Sequence, residues 1–393
     1  MAKTNRRQLL GTALGGALLA PAEEPRALGK PLSGYGERSA FVKAARTMRV
    51  SKTPEAGSSA TPLAEGHGIL TPAALHYERH HAGVPAIDPE RHRLTIHGLV
   101  ERPLVLSMSE IRRLPSVSRI HFLECGGNSG GEWGATTGAD AQRAAGLASC
   151  SEWTGVPLRL LLDEVGLQPG ASWIIAEGAD ACRMQRSVPI AKLLDDAMLA
   201  YGQNGEPLRP EQGFPLRLLT PGWEGNLQVK WLQRLHVTNQ PHMTRDETSK
   251  YSDLMPDGKA RLFTLEMEAK SVVTFPSGGQ KLAGPGWYEL TGLAWSGQGL
   301  IDRVEITLDG GRTWQDARLQ QPRFPKAFTR FRLPWQWDGK PAVIASRATD
   351  ESGYVQPAKE ELVAVRGTNS GYHFNGIKLW RVGADGAVTN ADV

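Results

Sequence analysis

Apolar positions along this chain change their period with position. Over residues 67–250 strand-like and helix-like stretches are mixed. Residues 93–100 alternate as a strand does, and residues 109–114 form a short capped run that Pro115 ends. Residues 156–166 open with a proline near the first turn and close on Gly166, the asymmetry of a helix. Residues 215–220 and 228–232 are continuous apolar runs of the kind that buried strands carry. From about Ala269 the helical period disappears. Short strands are predicted at 287–296, 301–307, 328–333 and 342–349, with hairpin chemistry at Asp309-Gly310-Gly311 before Thr313-Trp314. Regular short strands with no helix between them predict an immunoglobulin-like sandwich. Residues 23–66, polar and interrupted, read as an extended, loosely docked arm. The predicted class is therefore α+β: a mixed α/β domain at 67–252, a linker at 253–268, the sandwich at 269–382 and a tail at 383–393.

Composition adds bounds to this picture. A chain of 393 residues with 40% hydrophobic and 22% charged residues is long enough for two globular domains. The N-terminus carries Asn5-Arg6-Arg7-Gln8-Leu9-Leu10, a Gly-interrupted apolar run to Ala20, and Ala20-Pro21-Ala22 as a cleavage site. That is a twin-arginine signal over residues 1–22, too short to span a bilayer, and it predicts export of the folded protein to the periplasm. Cleavage after Ala22 removes Lys3, Arg6 and Arg7, leaving 42 basic against 41 acidic residues. A nearly neutral chain without a basic block predicts no nucleic-acid partner.

Three cysteines stand far apart, at 125, 150 and 182. No CxxC and no CxxCH occurs, so neither a zinc ribbon nor covalent haem is expected, and electrons from any redox reaction must leave through a partner. Cys125 ends an apolar run, in Ile120-His121-Phe122-Leu123-Glu124-Cys125-Gly126-Gly127-Asn128. A thiol at a strand tip before a Gly-rich loop suits a metal bound by one thiolate and otherwise by a cofactor. The alternative is a small buried hydrophobe before a turn. Six of the ten histidines fall between His67 and His97. Tyr77-Glu78-Arg79-His80-His81 reads better as anion handling than as a zinc site, since neighbouring histidines point different ways.

Taken in order, these segments resemble the sulfite oxidase family of molybdenum enzymes over roughly residues 67–382. Arg79 matches the arginine of that family's Phe-x-Val-Arg-Asn-His stretch, and Glu177-Gly178-Ala179-Asp180 its pterin-contacting aspartate motif. Gly213-Phe214-Pro215-Leu216-Arg217 and Val229-Lys230-Trp231-Leu232 match two cofactor-binding patterns, and Tyr251 falls where the family keeps an active-site tyrosine. The resemblance implies the sulfite oxidase fold with a dimerisation domain, and one molybdenum–molybdopterin per chain with Cys125 as the metal's protein ligand. It also implies Arg79 and Tyr251 beside the reacting centre. Tyr77, Glu78, Arg79, His80, His81, Asp180, Gln212, Arg217, Gln228, Val229 and Lys230 are the implied cofactor contacts.

Three positions depart from the family pattern. Gln212 replaces a histidine, Leu227 an arginine, and Gly130 an arginine five residues after the cysteine that helps hold sulfite. Arg381 matches a late arginine of the family pocket. These departures resemble the branch of the family that oxidises sulfane sulfur carried on a cysteine of a carrier protein. That branch implies a dihaem cytochrome c subunit as electron acceptor and a homodimer of the molybdenum subunit within a heterotetramer. Free sulfite oxidation with cytochrome c as acceptor is the alternative. Reduction of oxidised methionine and a non-catalytic metal-binding module are further readings of the same residues.

Overall fold

The computed structural model describes residues 29–134 and 138–391; the signal expected at 1–22 lies outside the described residues. Three strands open the fold, β1 (Thr47–Val50), β2 (Gly57–Ala60) and β3 (Glu78–His80), in one antiparallel sheet. The segment expected as a loose arm is thus partly strand, with Ala60 and Leu63 buried beneath it. Burial of those side chains outweighs the polar composition that suggested a loose lead-in.

Two larger sheets follow. β4 (Arg93–Gly98) and β5 (Leu104–Ser107) begin one; β6 (Val117–Glu124) and β7 (Ala148–Pro157) begin the other. β8 (Trp173–Gly178) and β9 (Gln185–Pro189) return to the first, β10 (Met198–Gln203), β11 (Glu206–Pro207) and β12 (Arg217–Leu219) join the second, and β13 (Leu232–Thr238) completes the first. The orders are β5-β4-β13-β8-β9, with β13 parallel to β4, and β11-β10-β7-β6 with β12 on β10. Between them runs a helix, Leu158–Val165, that buries Leu158, Leu161, Leu162 and Val165 at the i, i+3, i+4, i+7 spacing. Gly166 ends it at φ 66°, in the left-handed region glycine tolerates.

Residues 228–232, expected as a strand, are irregular until Leu232. Trp231 sits at φ 53°, and that local turn aims Lys230 inward instead of along a ladder. The apolar run was real, but the burial it signalled is that of a cavity wall.

The second domain is a sandwich. After the short pair β14 (Asp253–Leu254) and β15 (Ala260–Arg261), the strands are β16 (Lys270–Phe275), β17 (Gly286–Trp295), β18 (Ile301–Thr307), β19 (Gln315–Asp316), β20 (Arg318–Leu319), β21 (Thr329–Trp337), β22 (Ala342–Asp350), β23 (Leu379–Val382) and β24 (Val388–Asn390). They pair as β16-β17-β21-β20 and β19-β18-β22-β23-β24. β24 lies within the expected tail, where Val388 is buried and register with β23 carries the sheet to Asn390. Trp295, Phe328, Phe331 and Trp380 fill the sandwich core, and Phe122 and Cys150 of the first domain pack into the same cluster. The two domains therefore share apolar packing beside β6, the strand that delivers Cys125. Among the described residues no helix is long and apolar enough to cross a membrane.

Candidate active site

β6 carries Cys125 to its tip, where the Cys125 N–H donates to the Leu147 carbonyl at 2.9 Å. The Asn128 N–H donates back to the Cys125 carbonyl at 2.8 Å and closes the turn. Glycine is required next to the thiol: a Cβ on Gly126 would lie 2.7 Å from a Glu224 carboxylate oxygen. The thiol is 8% exposed and faces a cavity with Tyr77 and Leu123. Burial raises its pKa above the usual thiol range, with the Arg79 guanidinium pulling the other way. A bound cation would replace the proton there.

The opposite wall comes from β3 and the chain after it. Arg79, His80 and His81 line the cavity, joined by Asp180, Gln212, Arg217, Gln228, Val229, Lys230 and Tyr251. The fold thus brings together residues that the family resemblance named. Glu78 is the exception. Its carboxylate pairs with Arg46 and lies 2.8 Å from His80 Nε2, outside the cavity lining. It shares its strand face with His80, two residues on, but its carboxylate is drawn aside to Arg46 and holds His80 instead of reaching the cavity. Arg381 is a second correction. It stands exposed on β23 between Val343 and Thr389, because its buried neighbours Trp380 and Val382 turn it to solvent.

Charge in the cavity is strongly one-sided. Arg217 is buried, donates to the carbonyls of Gln212 (2.9 Å) and Gln228 (3.1 Å), and lies 4.9 Å from the Trp153 ring centroid. Among the described residues its Nε has no hydrogen-bond partner and it makes no ion pair to a carboxylate. Burial brings its pKa down to about 10. Lys230 Nζ lies 2.8 Å from His80 Nδ1 and donates to the carbonyls of Arg79 and Glu211, both at 3.2 Å. Burial, with Arg217 nearby, lowers it to about 7. Burial, with Arg79 nearby, holds His81 at about 4. Among the described residues Asp180 is the only carboxylate in the lining, and its oxygens accept from the Cys182 thiol (2.7 Å) and the Met184 N–H (3.2 Å). Gln212 donates to the Tyr77 carbonyl at 3.0 Å. The Gln228 amide is spent on Thr220 and Trp223, so it shapes the wall and leaves no free donor for a ligand.

Such a cluster of buried cations is costly without an anion. A phosphate-bearing, polar cofactor answers it, with Arg217 and Lys230 as its counter-charges. Among the described residues no group of three His, Cys, Asp or Glu side chains could hold a metal. A metal at Cys125 therefore needs most of its ligands from that cofactor. The residues fit a thiolate-anchored pterin metal, with Cys125, Arg217 and Lys230 all lining one cavity.

The sequence missed several neighbours of the site. His76, Met184 and Asn226 line the cavity. Tyr372, from the second domain, packs on Tyr251 with ring centroids 5.1 Å apart. No motif in the sequence marks these residues as part of the site.

One consequence concerns pH. Lys230 releases its proton at about 7 in the fold but only near about 10.4 in the unfolded chain. Between those values the unfolded state binds more protons, so the cofactor-free protein gains stability as pH rises from 7 towards 10. Below pH 7 both states hold the proton and the gain is absent. Urea unfolding at pH 6 and pH 9 should show this rise, and Lys230→Met should flatten it.

Fold and cavity together define a molybdopterin-dependent oxidoreductase of the sulfite oxidase family. Residues 81–245 match the oxidoreductase molybdopterin binding domain and residues 261–379 the Mo-co oxidoreductase dimerisation domain. The crystal structure of the sulfane dehydrogenase SoxCD from Paracoccus pantotrophus superposes with a TM-score of 0.90 and 44% identity, covering 94% of this chain and 96% of that one. The chain belongs to this family, is SoxC-like within it, and takes a molybdenum–molybdopterin cofactor. NADH nitrate reductases of Solanum lycopersicum and Oryza sativa are each 34% identical over 75% of this chain. The chain spans little more than a third of their length, 37% and 36%.

Proposed function

We propose that the chain is the molybdenum subunit of a periplasmic sulfane dehydrogenase. It would oxidise sulfane sulfur carried on a cysteine of a carrier protein and pass the electrons to a cytochrome c subunit. The likeness to SoxCD carries this reading, together with the surroundings of Gly130. A Cβ there would lie 2.8 Å from the Gly371 carbonyl oxygen. No side chain fits at 130, so a small dianion loses an arginine clamp that free sulfite would use. The twin-arginine start supports export, the dimerisation domain supports a homodimer of this subunit, and the likeness to SoxCD supports a second subunit, which we read as a dihaem cytochrome.

When bound, the cofactor supplies two-electron oxygen-transfer chemistry at the metal. Cys125 gives the soft donor that holds it. Arg217 and Lys230 offset the phosphate charge, and Asp180 orients the polar pterin. His81 Nε2 and the Tyr251 hydroxyl stand 3.2 Å apart, so one fixes the proton position of the other. Arg79 and Tyr251 would present preorganised donors beside the substrate's sulfur, where charge develops as it is oxidised.

The test compares cytochrome c reduction by purified protein with free sulfite and with carrier-bound sulfane. Sulfane turnover at least tenfold faster, in kcat/KM, is the expected result. Fast sulfite turnover with no carrier protein would replace this proposal by the sulfite dehydrogenase reading.

A further inference from the structure

One buried cation beside the site has no part in the roles given so far. Arg186, on β9, is 1% exposed, and its guanidinium carbon lies 5.1 Å from the Tyr251 ring centroid. It sits between two buried carboxylates. Nη2 lies 3.3 Å from Glu224 Oε1 and Nε 3.6 Å from Glu247 Oε1, while Nε and Nη1 make no hydrogen bond.

Each carboxylate leads to a different part of the site. Glu247 accepts from the Ser187 N–H and hydroxyl and, at 3.1 Å, from the Thr244 N–H. It thereby ties β9 to the short helix Arg245–Thr248, three residues before Tyr251. Glu224 accepts from Asn226 at 2.7 Å, a cavity residue, and lies 3.2 Å from His373 Nε2 of the second domain. The His373 N–H in turn donates to the carbonyl of Gly126, next to Cys125, at 2.8 Å. Arg186 is the shared neighbour of the tyrosine segment, the cavity wall and the cap over the Cys125 loop.

Tyr251 itself stands at φ 52°, a backbone conformation that L residues rarely adopt and that surroundings must hold. Its hydroxyl meets His81, and its ring is flanked by Tyr372 and Arg186. A guanidinium near the ring restrains it through a cation–π contact and makes the hydroxyl a stronger donor. A longer or looser side chain could not meet both carboxylates and the ring at once.

We propose that Arg186 is the positioning residue for Tyr251: it holds the phenol at the reacting centre and couples it, through Glu224 and His373, to the second domain's cap on the Cys125 loop. This rests on the assignment of Tyr251 to the active site.

The test is a double-mutant cycle in the cofactor-loaded enzyme with R186Q, R186K, Y251F and R186Q/Y251F, using the substrate the wild type turns over. R186Q should lower kcat at least 30-fold with KM within threefold and molybdenum content unchanged, and R186K should recover about tenfold of that loss. In the Y251F background R186Q should cost less than threefold. Amide exchange of residues 245–252 should quicken at least tenfold in R186Q and much less in R186K. If R186Q yields no folded protein, R186K in the same cycle with Y251F decides the question. Equal losses from R186Q with and without Y251F would overturn the proposal while leaving Tyr251 in the site. Parallel loss of molybdenum in R186Q and R186K would reduce Arg186 to scaffolding. A fully active Y251F would remove the assignment of Tyr251, and the role of Arg186 with it.

Discussion

Cys125→Ser should abolish molybdenum-dependent turnover while leaving a folded protein. Removing even an outer partner of a metal ligand costs about 10–100-fold, so losing the only protein thiolate at the metal should exceed about 100-fold. The hydroxyl that replaces it is a hard, weakly acidic donor, poorly matched to a metal held by soft ligands. The fold should tolerate the change. Serine is nearly the same size, and Cys125 packs only among Tyr77, Leu123 and their neighbours at the edge of one cluster. A thermal midpoint within about 4 °C of wild type is expected, the shift about 1 kcal/mol produces in domains of this size. Metal analysis and calorimetry of the purified variant check both halves. Full molybdenum content with near-normal turnover would contradict the ligand assignment.

The second large effect lies one residue away. Glu124 is fully buried and accepts from Asn128 (2.8 Å), Lys270 (2.9 Å) and the Trp295 indole (2.6 Å), the last two from the second domain. Lys270→Met leaves that carboxylate without its counter-charge in an apolar interface. Breaking a buried pair in this way costs about 3–5 kcal/mol. Glu124→Gln with Lys270→Met should recover most of the loss, since both charges then leave together. Urea unfolding of the single and double variants measures this. A loss below about 1 kcal/mol in Lys270→Met would mean that water reaches the pair. Cofactor content should fall in the single variant too, because the same strand tip carries Cys125.

The ordered motifs made the chemistry of the cavity legible. Arg79, Cys125, Asp180, Arg217, Lys230 and Tyr251 are far apart in the chain, yet all line one cavity. Each was named by its place in a motif shared with the family. Glu78 and Arg381 show the limit of that logic. Both belong to matching segments, but an ion pair with Arg46 draws one aside and strand alternation turns the other to solvent. Residues 228–232 show another limit, since an apolar run signals burial without specifying a strand.

What remained hidden shares a physical character. Arg186 meets Glu224, His373 meets Glu224, and Lys270 meets Glu124 across 38, 149 and 146 residues. Periodicity and capping act over one or two turns, so nothing beside these side chains in sequence marks their partners. Domain order and the strand-tip thiol were determined by the sequence alone, through local patterns that burial and turn geometry impose. The family and the cationic contacts came from the ordered motifs the chain shares with the sulfite oxidase family. The direction each side chain takes, the partners of its buried charges and the second domain's cover over Gly130 were decided only by the tertiary fold. A buried charge is stable only where distant elements bring its counter-charge within a few ångströms.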